Sequence, residues 1–489
     1  METPTTSRPA GDPADNAAGA AGLASPSGVW EPYRPDADTP WDLRRVVHLH
    51  RRAAFGGTWG EVWRDLKDDP QAAVGRLVKG EAPRDGVPKD YAQVADMLAT
   101  AAGRSGDASR LKAAWLYRIY FTPDPLAERL ALMWHNHFAT SNQKVQAPSL
   151  MKRQNDTLRR LARAPFGDLL RAMLRDPALL LWLDAPQNRV GAANENLGRE
   201  LMELFTLGIG HYTESDVKEA ARALTGCWIG PAEFDDPGIV VASVRQAGSH
   251  DDGEKVVLGR RGKWDADDLA KILLEHPATA RRLAGRVCEL FMGEGAVDDE
   301  AVDQLAAGLR ERDLDVGWAV ETVLRSRAFF AAADLGTRVT DPVEFVVAPT
   351  RAVEWFDPPP STLAMADWVT RLGQDLFYPP NVGGWAGGRG WLSSRAIIGR
   401  ANFAASLVRG ELSTASEPLV LTAVATRHGR AADLRDAVGF FADLVLGGRL
   451  PRAAVDEVAA RAGANRVPEP EGLRRAVTAL LALPEAQLS

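Results

Sequence analysis

The sequence predicts a mainly α-helical fold, a multi-helix globular array with one small inserted β-hairpin. From Trp41 onward, apolar residues recur at the spacing of amphipathic helices. Proline and capping residues stand where these stretches begin, as expected for helix N-termini. One segment, 232–262, carries β-prone runs instead. With 489 residues, of which 45% are hydrophobic, the chain can bury more than one core of ordinary size.

The first segment, 1–40, is rich in alanine, glycine, proline, serine and aspartate and contains no large apolar run. This composition predicts a disordered tail. It also differs from a secretory signal, which needs a basic start and a continuous apolar stretch. No segment reaches the roughly 18 apolar residues of a membrane span. The chain as written is therefore expected in the cytoplasm, without a membrane span.

The charge of the chain argues against nucleic acid as a partner. Its 58 basic and 65 acidic residues give a formal net charge of −7 and are spread along the sequence. A nucleic-acid-binding surface requires a basic stripe, and none stands out.

The segment 41–231 is predicted to form a helical core that contains the histidine and glutamate motifs. Thr58 with Glu61 three residues later has the form of a capping box. Asp124 directly before Pro125 has the form of an N-cap with proline in the first turn. Both pairs predict helix N-termini.

The insert 232–262 is predicted to be a β-hairpin, because β-prone residues fill 239–244 and 255–258 and polar residues and glycines separate these runs. Helical spacing then resumes. A second helical part with a loop rich in glycine and tryptophan is predicted for 263–412, and a C-terminal helical layer for 413–489.

Two histidines stand at the end of the helix that Pro125 begins. If that helix continues, His137 lies on its apolar stripe and His135 points elsewhere. If the backbone unwinds at Asn136, both rings lie on one face of an extended chain and suit a metal ion. The competing interpretation is that the histidines cap the helix C-terminus.

Carboxylates follow one another on a later helix. Glu200 and Glu203 stand four and seven residues after Asn196, on one helix face. Such a pair can hold a hard cation, or can separate its pKa values so that one group is the acid and the other the base. We take Glu203, Glu200 and Arg199 as the candidate catalytic residues, with Glu203 as the base. The competing interpretation is a structural network of ion pairs with arginines.

A further histidine, His250, is followed directly by Asp251. Neighbouring His and Asp residues are a common ligand pair, although a single pair in a loop is a weak signal. Together with His135 and His137, these residues form the predicted site of a divalent metal ion, provided that the fold brings them together.

Several of these stretches resemble signature motifs of a bacterial family, the domain of unknown function 1800 family. His48 with the following arginines is similar to its opening motif, and the likeness spans roughly 41–403. The stretches that resemble the family motifs are 134–141, 194–208, 212–226, 250–259 and 379–391.

The resemblance implies no settled activity. Members of this family are similar in gene setting to proteins encoded beside a second uncharacterised family, the domain of unknown function 1501, which looks like the sulfatase and alkaline-phosphatase group. The resemblance therefore implies a sulfatase-like partner. It also implies export together with that partner, as the alternative to a cytoplasmic location.

Two main hypotheses for the function follow. In the first, the chain is a metal-supported hydrolase or related enzyme, in which the three histidines and one glutamate hold a divalent ion and the other glutamate acts on its bound water. In the second, it is a non-catalytic binding or assembly protein whose loop 379–391 contacts the sulfatase-like partner through tryptophan. Carbohydrate binding through stacked tryptophans is a third hypothesis and ranks last.

Overall fold

The computed structural model describes residues 28–231, 240–245, 248–463 and 469–489. These residues are mainly α-helical, as predicted, and they contain two short antiparallel strand pairs. The helices of the first part are α1 (Leu43–Ala54), α2 (Trp59–Leu66), α3 (Pro70–Lys79), α4 (Tyr91–Ser105), α5 (Ala108–Phe121), α6 (Pro125–His137), α7 (Asn142–Val145), α8 (Pro148–Arg160), α9 (Phe166–Met173) and α10 (Pro177–Trp182). A 3₁₀ turn, Ala185–Gln187, follows.

The middle part contains α11 (Asn196–Glu200), its π-helical continuation Leu201–Thr206, α12 (Glu214–Ala223), and the strands β1 (Cys227–Pro231), β2 (Val240–Arg245), β3 (Lys255–Val257) and β4 (Arg260–Gly262). The remaining helices are α13 (Ala266–Leu274), α14 (Pro277–Phe291), α15 (Asp299–Glu311), α16 (Val316–Arg325), α17 (Pro342–Ala352), α18 (Thr362–Arg371), α19 (Ser394–Val408), α20 (Leu421–Arg427), α21 (Leu434–Leu446), α22 (Arg452–Ala462) and α23 (Pro470–Ala482). The 3₁₀ segments Gly388–Leu392 and Pro484–Gln487 complete the described elements.

The helix starts predicted from capping residues are confirmed. At the start of α2, the Thr58 side chain accepts from the Glu61 amide, and the Glu61 carboxylate accepts from the Thr58 amide. At the start of α6, Pro125 is the first helical residue, and the Asp124 carboxylate accepts from the Ala127 amide. These short-range bonds satisfy amides that the helix itself leaves without partners.

The strands pair differently from the single predicted hairpin. The two β-prone runs lie in separate pairs, because β2 pairs with β1 and β3 pairs with β4, both antiparallel. Leu258 and Gly259 join β3 to β4 and both have positive φ, 49° and 76°. A two-residue turn of this kind matches the twist of its flanking strands. It therefore pairs β3 with β4, the next strand along the chain. Residues 232–239 and 246–247 of the predicted insert lie outside the described residues.

Two hydrophobic cores meet at α1 and α6. On α1, Leu49 belongs to the first core and Val46 to the second. On α6, Trp134 belongs to the first core and Leu132 to the second. Helices that bury opposite faces in two cores have their remaining polar side chains held between those cores. Among the described residues, no helix is long and apolar enough to cross a membrane.

The beginning of the described chain packs against the helices, although the composition of 1–40 predicts a tail. Tyr33 is 1% exposed, and its ring centroid lies 4.7 Å from that of Phe330. The Tyr33 amide donates to the Arg325 carbonyl (2.8 Å), and the Trp30 indole donates to the Ala301 carbonyl (2.9 Å). Residues 28–40 therefore pack on the helices through a few buried aromatic side chains, where the composition predicts a tail. Residues 1–27 lie outside the described part, and the predicted domain boundaries stay predictions.

We predict that Tyr33→Ala lowers the free energy of unfolding by about 3 to 5 kcal/mol, because it empties a buried aromatic site. Urea unfolding of the full chain measures this change. Arg34→Ala removes the exposed neighbour and serves as the control, with an expected change within about 0.5 kcal/mol. Equal effects of the two variants would show that the segment contributes no packing energy.

Candidate functional site

A buried carboxylate, Glu344 in the first turn of α17, is the centre of an ion cluster. It is fully buried, and Arg129 of α6 donates to its Oε2 atom at 3.0 Å. Arg338 binds the same oxygen, and the Nε atom of Arg51 in α1 lies 3.8 Å from Oε1. Burial alone raises the pKa of the Glu344 carboxyl, but the charges of Arg338, Arg129 and Arg51 outweigh burial and lower it to about 2. Glu344 is therefore ionised at neutral pH.

A second carboxylate, Asp341, extends the cluster. It caps α17 by accepting from the Glu344 amide, and its other oxygen accepts from Arg129 at 2.9 Å. Arg338 lies 3.8 Å from the same oxygen. Arg400 of α19 is fully buried nearby, and it raises the local positive charge while donating to the Thr340 carbonyl (2.7 Å).

The cluster holds more positive than negative charge. Three buried arginines, Arg51, Arg129 and Arg400, and the partly buried Arg338 surround two carboxylates. Burial lowers the pKa of Arg51 and of Arg400 to about 10 each, which still leaves both groups charged at neutral pH. A surplus of buried cations creates a positive potential that attracts anions from solvent.

A polar cleft of about 440 Å³ opens above this cluster. Its floor contains Arg129, Arg338 and Asp341. Residues of α14 and of the loop 385–391 form its walls. The charged and aromatic residues of these walls are Arg286, Glu289, Trp385, Arg389, Trp391 and, just after α14, Glu294.

Asn136 fixes the loop over the cleft. Its side-chain oxygen accepts from the Trp385 amide (2.7 Å), and its side-chain nitrogen donates to the Trp385 carbonyl (3.4 Å). The backbones come so close that a Cβ atom on Gly384, whose φ is 79°, would lie 2.2 Å from the Asn136 side-chain oxygen. The Trp385 side chain is 6% exposed and packs beside His135, with ring centroids 5.6 Å apart. Trp385 therefore anchors the loop and is covered, which differs from the exposed recognition residue of the assembly hypothesis.

Arg286 and Arg389 are the cleft arginines with the fewest competing partners. Arg389 is exposed, and within the part of the chain that the structure describes it has no hydrogen bond or ion pair. Arg286 is half-buried and has one ion-pair contact, 3.4 Å to Glu289 one turn later. Both guanidinium groups therefore keep donors for a ligand.

The two predicted histidine ligands of α6 lie in different aromatic clusters. The helix continues through His137, so the rings point in different directions. The His135 Nε2 atom accepts from the Phe377 amide (3.2 Å). The His137 Nε2 atom donates to the Phe205 carbonyl (3.1 Å). Burial lowers the pKa of His135 to about 3 and that of His137 well below its ordinary value, so both are neutral.

The other predicted metal ligands, His250 and Asp251, pack at the end of α12. The His250 ring donates from Nδ1 to the Thr225 carbonyl (3.0 Å). Asp251 accepts from the Nε atom of Arg222 at 2.7 Å, and this contact lowers the pKa of the Asp251 carboxyl to about 2. Among the described residues, no three His, Cys, Asp or Glu side chains lie close enough together to hold a metal ion. A shared metal site for the four residues thus stays a prediction.

The predicted catalytic residues lie where α11 passes into its π-helical continuation. Glu203 accepts a hydrogen bond from the Tyr212 hydroxyl. Glu200 is half-buried, and burial and the Glu203 charge raise the pKa of its carboxyl. Arg199 binds Glu214 at 2.7 Å.

The hydrogen bonds and ion pairs of the three predicted catalytic residues divide them into two groups. Arg199 belongs to a surface ion-pair network, because its second partner is Glu195 at 3.1 Å. The adjacent carboxylates Glu200 and Glu203 form the other group, and a π-helical turn is a frequent feature of functional sites. Their catalytic role stays a prediction.

Sequence patterns identified only part of the cleft. Asn136 and Trp385 lie in stretches that the sequence analysis singled out, whereas Arg286, Arg338 and Glu344 were missed. An arginine on a helix usually marks a solvated face, so a single sequence gives no signal that these groups are buried together. One available signal was the Arg51-Arg52 pair, which lies in a stretch, 43–54, where arginines and histidines alternate with apolar residues.

Comparison with known proteins yields one finding. The model of a family described as "Protein of unknown function (DUF1800)" matches residues 48–488, nearly the whole chain. No curated protein and no solved structure matches the chain.

We predict that Gly384→Ala lowers the free energy of unfolding by about 1 to 3 kcal/mol and frees the loop, because the new methyl group collides with Asn136 and prefers negative φ. Urea unfolding and limited proteolysis of the loop measure the two effects. Gly390→Ala is the matched control, since its Cβ atom lies 3.6 Å from its nearest neighbour and needs no positive φ. Identical behaviour of the two variants would contradict the fixed loop.

We also predict that the buried histidines make the fold acid-sensitive. His135, with a folded-state pKa of about 3, stays neutral while the unfolded chain protonates below about 6.5. Its contribution to the free energy of unfolding is therefore constant above about pH 6.5 and falls by up to about 1.4 kcal/mol per pH unit toward pH 3. His135→Gln keeps an acceptor and should flatten the measured slope between pH 6 and 4. An unchanged slope would contradict a neutral buried ring.

Proposed function

Since the chain belongs to the DUF1800 family, whose function is unknown, we propose its function from geometry: its cleft binds a small anionic ligand that carries a carboxylate or phosphate group. The observation that carries the proposal is the surplus of positive charge beside the cleft, where four arginines, three of them buried, surround Glu344 and Asp341. Small-ligand sites are typically concave and contain a few convergent polar groups.

The roles of the floor and the walls differ. Arg129 and Arg338 already bind carboxylates of the protein. They therefore contribute positive potential and a rigid floor to the cleft more than direct contacts to a ligand. Arg286 and Arg389 both line the cleft, one from α14 and one from the loop 385–391, and their guanidinium groups can bind carboxylate or phosphate oxygens in a planar, two-point manner. Water would be partly excluded by the Trp391 side chain, which also lines the cleft.

The rim carboxylates narrow the range of ligands. Glu289 and Glu294 line the same cleft as Arg286 and Arg389. A ligand with negative charge over its whole surface would approach these carboxylates unfavourably. The cleft therefore fits a compact anion that also carries hydroxyl or amino groups, whose hydrogens the glutamates can accept. This combination of groups excludes nucleic acid and other long polyanions from the proposal.

We predict that Arg286→Ala and Arg389→Ala each weaken binding of such an anion at least about tenfold, because a hydrogen bond to a charged group contributes roughly 1.5 to 3 kcal/mol. Calorimetric titration of the full chain with phosphate, succinate and citrate measures the dissociation constants. Arg395→Ala removes an exposed arginine outside the cleft and is the matched control.

The binding proposal fails if none of the three anions binds at millimolar concentration. It also fails if a bound anion is held equally well by the wild type and by both cleft variants. Binding that Arg395→Ala weakens as strongly as the cleft variants do would indicate a general charge effect, which again contradicts a defined site.

A second candidate is an enzyme that uses Glu203 as base and Glu200 as acid, and one observation favours it. Burial and the charge of Glu203 raise the pKa of the half-buried Glu200 carboxyl, and a carboxyl group with a raised pKa is a candidate general acid. The metal-supported hydrolase extends this candidate by a divalent ion at the histidines. It ranks second because the His135 and His137 rings pack in different clusters.

For the metal-supported hydrolase, the expected result is one divalent metal ion per chain by elemental analysis, lost in folded His135→Ala and Glu200→Gln variants. The control is Glu294→Gln, which lies in the cleft and should keep the metal. A metal-free wild type purified from metal-replete cells would contradict this candidate and leave the anion-binding proposal unaffected. The sulfatase-like partner and export with it stay predictions that co-purification tests.

A further inference from the structure

A second concave surface lies between α4 and α8. It is a groove of about 470 Å³ that shares no lining residue with the cleft. The two helices lie close together at Gly103, where an added Cβ atom would be 3.5 Å from the Ser149 Cα atom and 3.5 Å from the Lys152 Cδ atom. Gly103 is buried and lines the groove, but it contributes no side chain that could fill it.

Positive charge predominates in the lining of the groove. The charged lining residues are four cations and one carboxylate: Arg104, Lys152, Arg153, Arg160 and Asp156. Asp156 binds the Lys152 ammonium group at 2.8 Å and the Arg159 guanidinium group at 3.0 Å, so its charge is already compensated. Arg153 and Arg160 are exposed, and guanidinium groups can bind carboxylates in a two-point manner. The groove therefore attracts a partner with negative charge.

The same groove offers apolar surface. Leu150 lines it and is 4% exposed, and the aliphatic chain of Lys152 lies against Gly103. Met97 stands three residues before Thr100, a lining residue of α4, so it lies on the same side of that helix, and it is 58% exposed. Methionine and arginine are both enriched at surfaces that bind other proteins, because methionine adapts its shape and arginine binds carboxylates.

We propose that the groove between α4 and α8 binds an acidic amphipathic helix of a partner protein. Apolar side chains of that helix enter the groove beside Leu150 and Met97, and its carboxylates bind Arg153 and Arg160. An amphipathic helix laid into an apolar groove is a recurring mode of peptide recognition. The positive charge of the groove selects helices that carry glutamate or aspartate beside their apolar face.

The charge of the whole chain distinguishes this partner from larger polyanions. The formal net charge is −7, so the positive groove is a local exception on an acidic protein. An anionic membrane or a nucleic acid carries its charge over a wide area and would also meet the acidic remainder of the surface. A single helix is narrow enough to contact the groove alone. This proposal does not depend on the anion proposed for the cleft, because the two sites share no residue.

The test uses a fluorescently labelled peptide of about 18 residues, built of leucine, glutamate and alanine so that leucines form one face of a helix and glutamates lie beside them. Fluorescence anisotropy with the full chain measures the dissociation constant. We expect saturable binding that weakens at least about tenfold when glutamine replaces the glutamates, because the contacts to arginine then lose their charge. Absence of saturable binding, or equal binding of both peptides, would overturn the proposal.

Variants of the chain locate the binding. Arg153→Glu and Arg160→Glu are each expected to weaken binding at least about tenfold, because an attractive contact becomes a repulsive one. Two groove variants are used so that the result does not depend on the folding of one of them, which circular dichroism checks. Arg395→Glu is the matched control, since it makes the same change of charge at an exposed arginine of α19 outside the groove. Equal weakening by the control would contradict a defined groove.

The apolar contact and the competing partner are tested separately. Met97→Ser is expected to weaken peptide binding at least about threefold, because it removes apolar surface from the contact. Unchanged binding by this variant would contradict insertion of the apolar face beside Met97. Sedimentation with vesicles of phosphatidylcholine and phosphatidylserine tests a membrane as the partner. Vesicle binding that Arg153→Glu abolishes, in a chain that does not bind the peptide, would overturn the helix in favour of a membrane surface.

Discussion

The ion cluster around Glu344 joins parts of the chain that are distant in sequence, and the cleft depends on it. Arg51 comes from α1, Arg129 from α6 and Arg338 from the segment before α17. Removing charged groups from water costs several kcal/mol for each ion, so such a cluster persists only where its geometry is good. Removing the Glu344 carboxylate alone would leave its arginines close to one another without the negative charge that they share. The positions of these arginine side chains therefore depend on Glu344.

The two hydrophobic cores explain why the cluster lies where it does. Since α1 and α6 each supply side chains to both cores, their polar residues are held between the cores, away from bulk water. The last turn of α6 then carries Asn136, which binds the backbone of the loop above. One helix thus supplies both the floor of the cleft, through Arg129, and the attachment of its covering loop.

Local signals in the sequence predicted the local structure well. The capping pair of Thr58 and Glu61 and the proline at 125 mark helix starts because the bonds involved span only a few residues. The strand pairing was predicted less well, since β-prone composition does not select a partner. The turn at Leu258 and Gly259 decides it.

The residues of the cleft were predicted less well than the helices, because their contacts join parts of the chain that are distant in sequence. Histidines and glutamates are the first candidates for site residues in a sequence, because they carry most catalytic and metal chemistry. The packing of the helices, however, determines the direction in which their rings and carboxylates point. His135 and His137 differ by about 200° around one helix and so enter different aromatic clusters. The cleft arginines Arg129, Arg286, Arg338 and Arg389 come from segments at least 51 residues apart, and periodicity within one segment carries no information about its contacts with another.

The most direct measurement is a crystal structure of the wild-type chain soaked with phosphate at a concentration that saturates binding in solution. The account predicts density for the anion in the cleft, between the guanidinium groups of Arg286 and Arg389 and above the Glu344 cluster. A cleft without density, or an anion bound only elsewhere on the molecule, would contradict it.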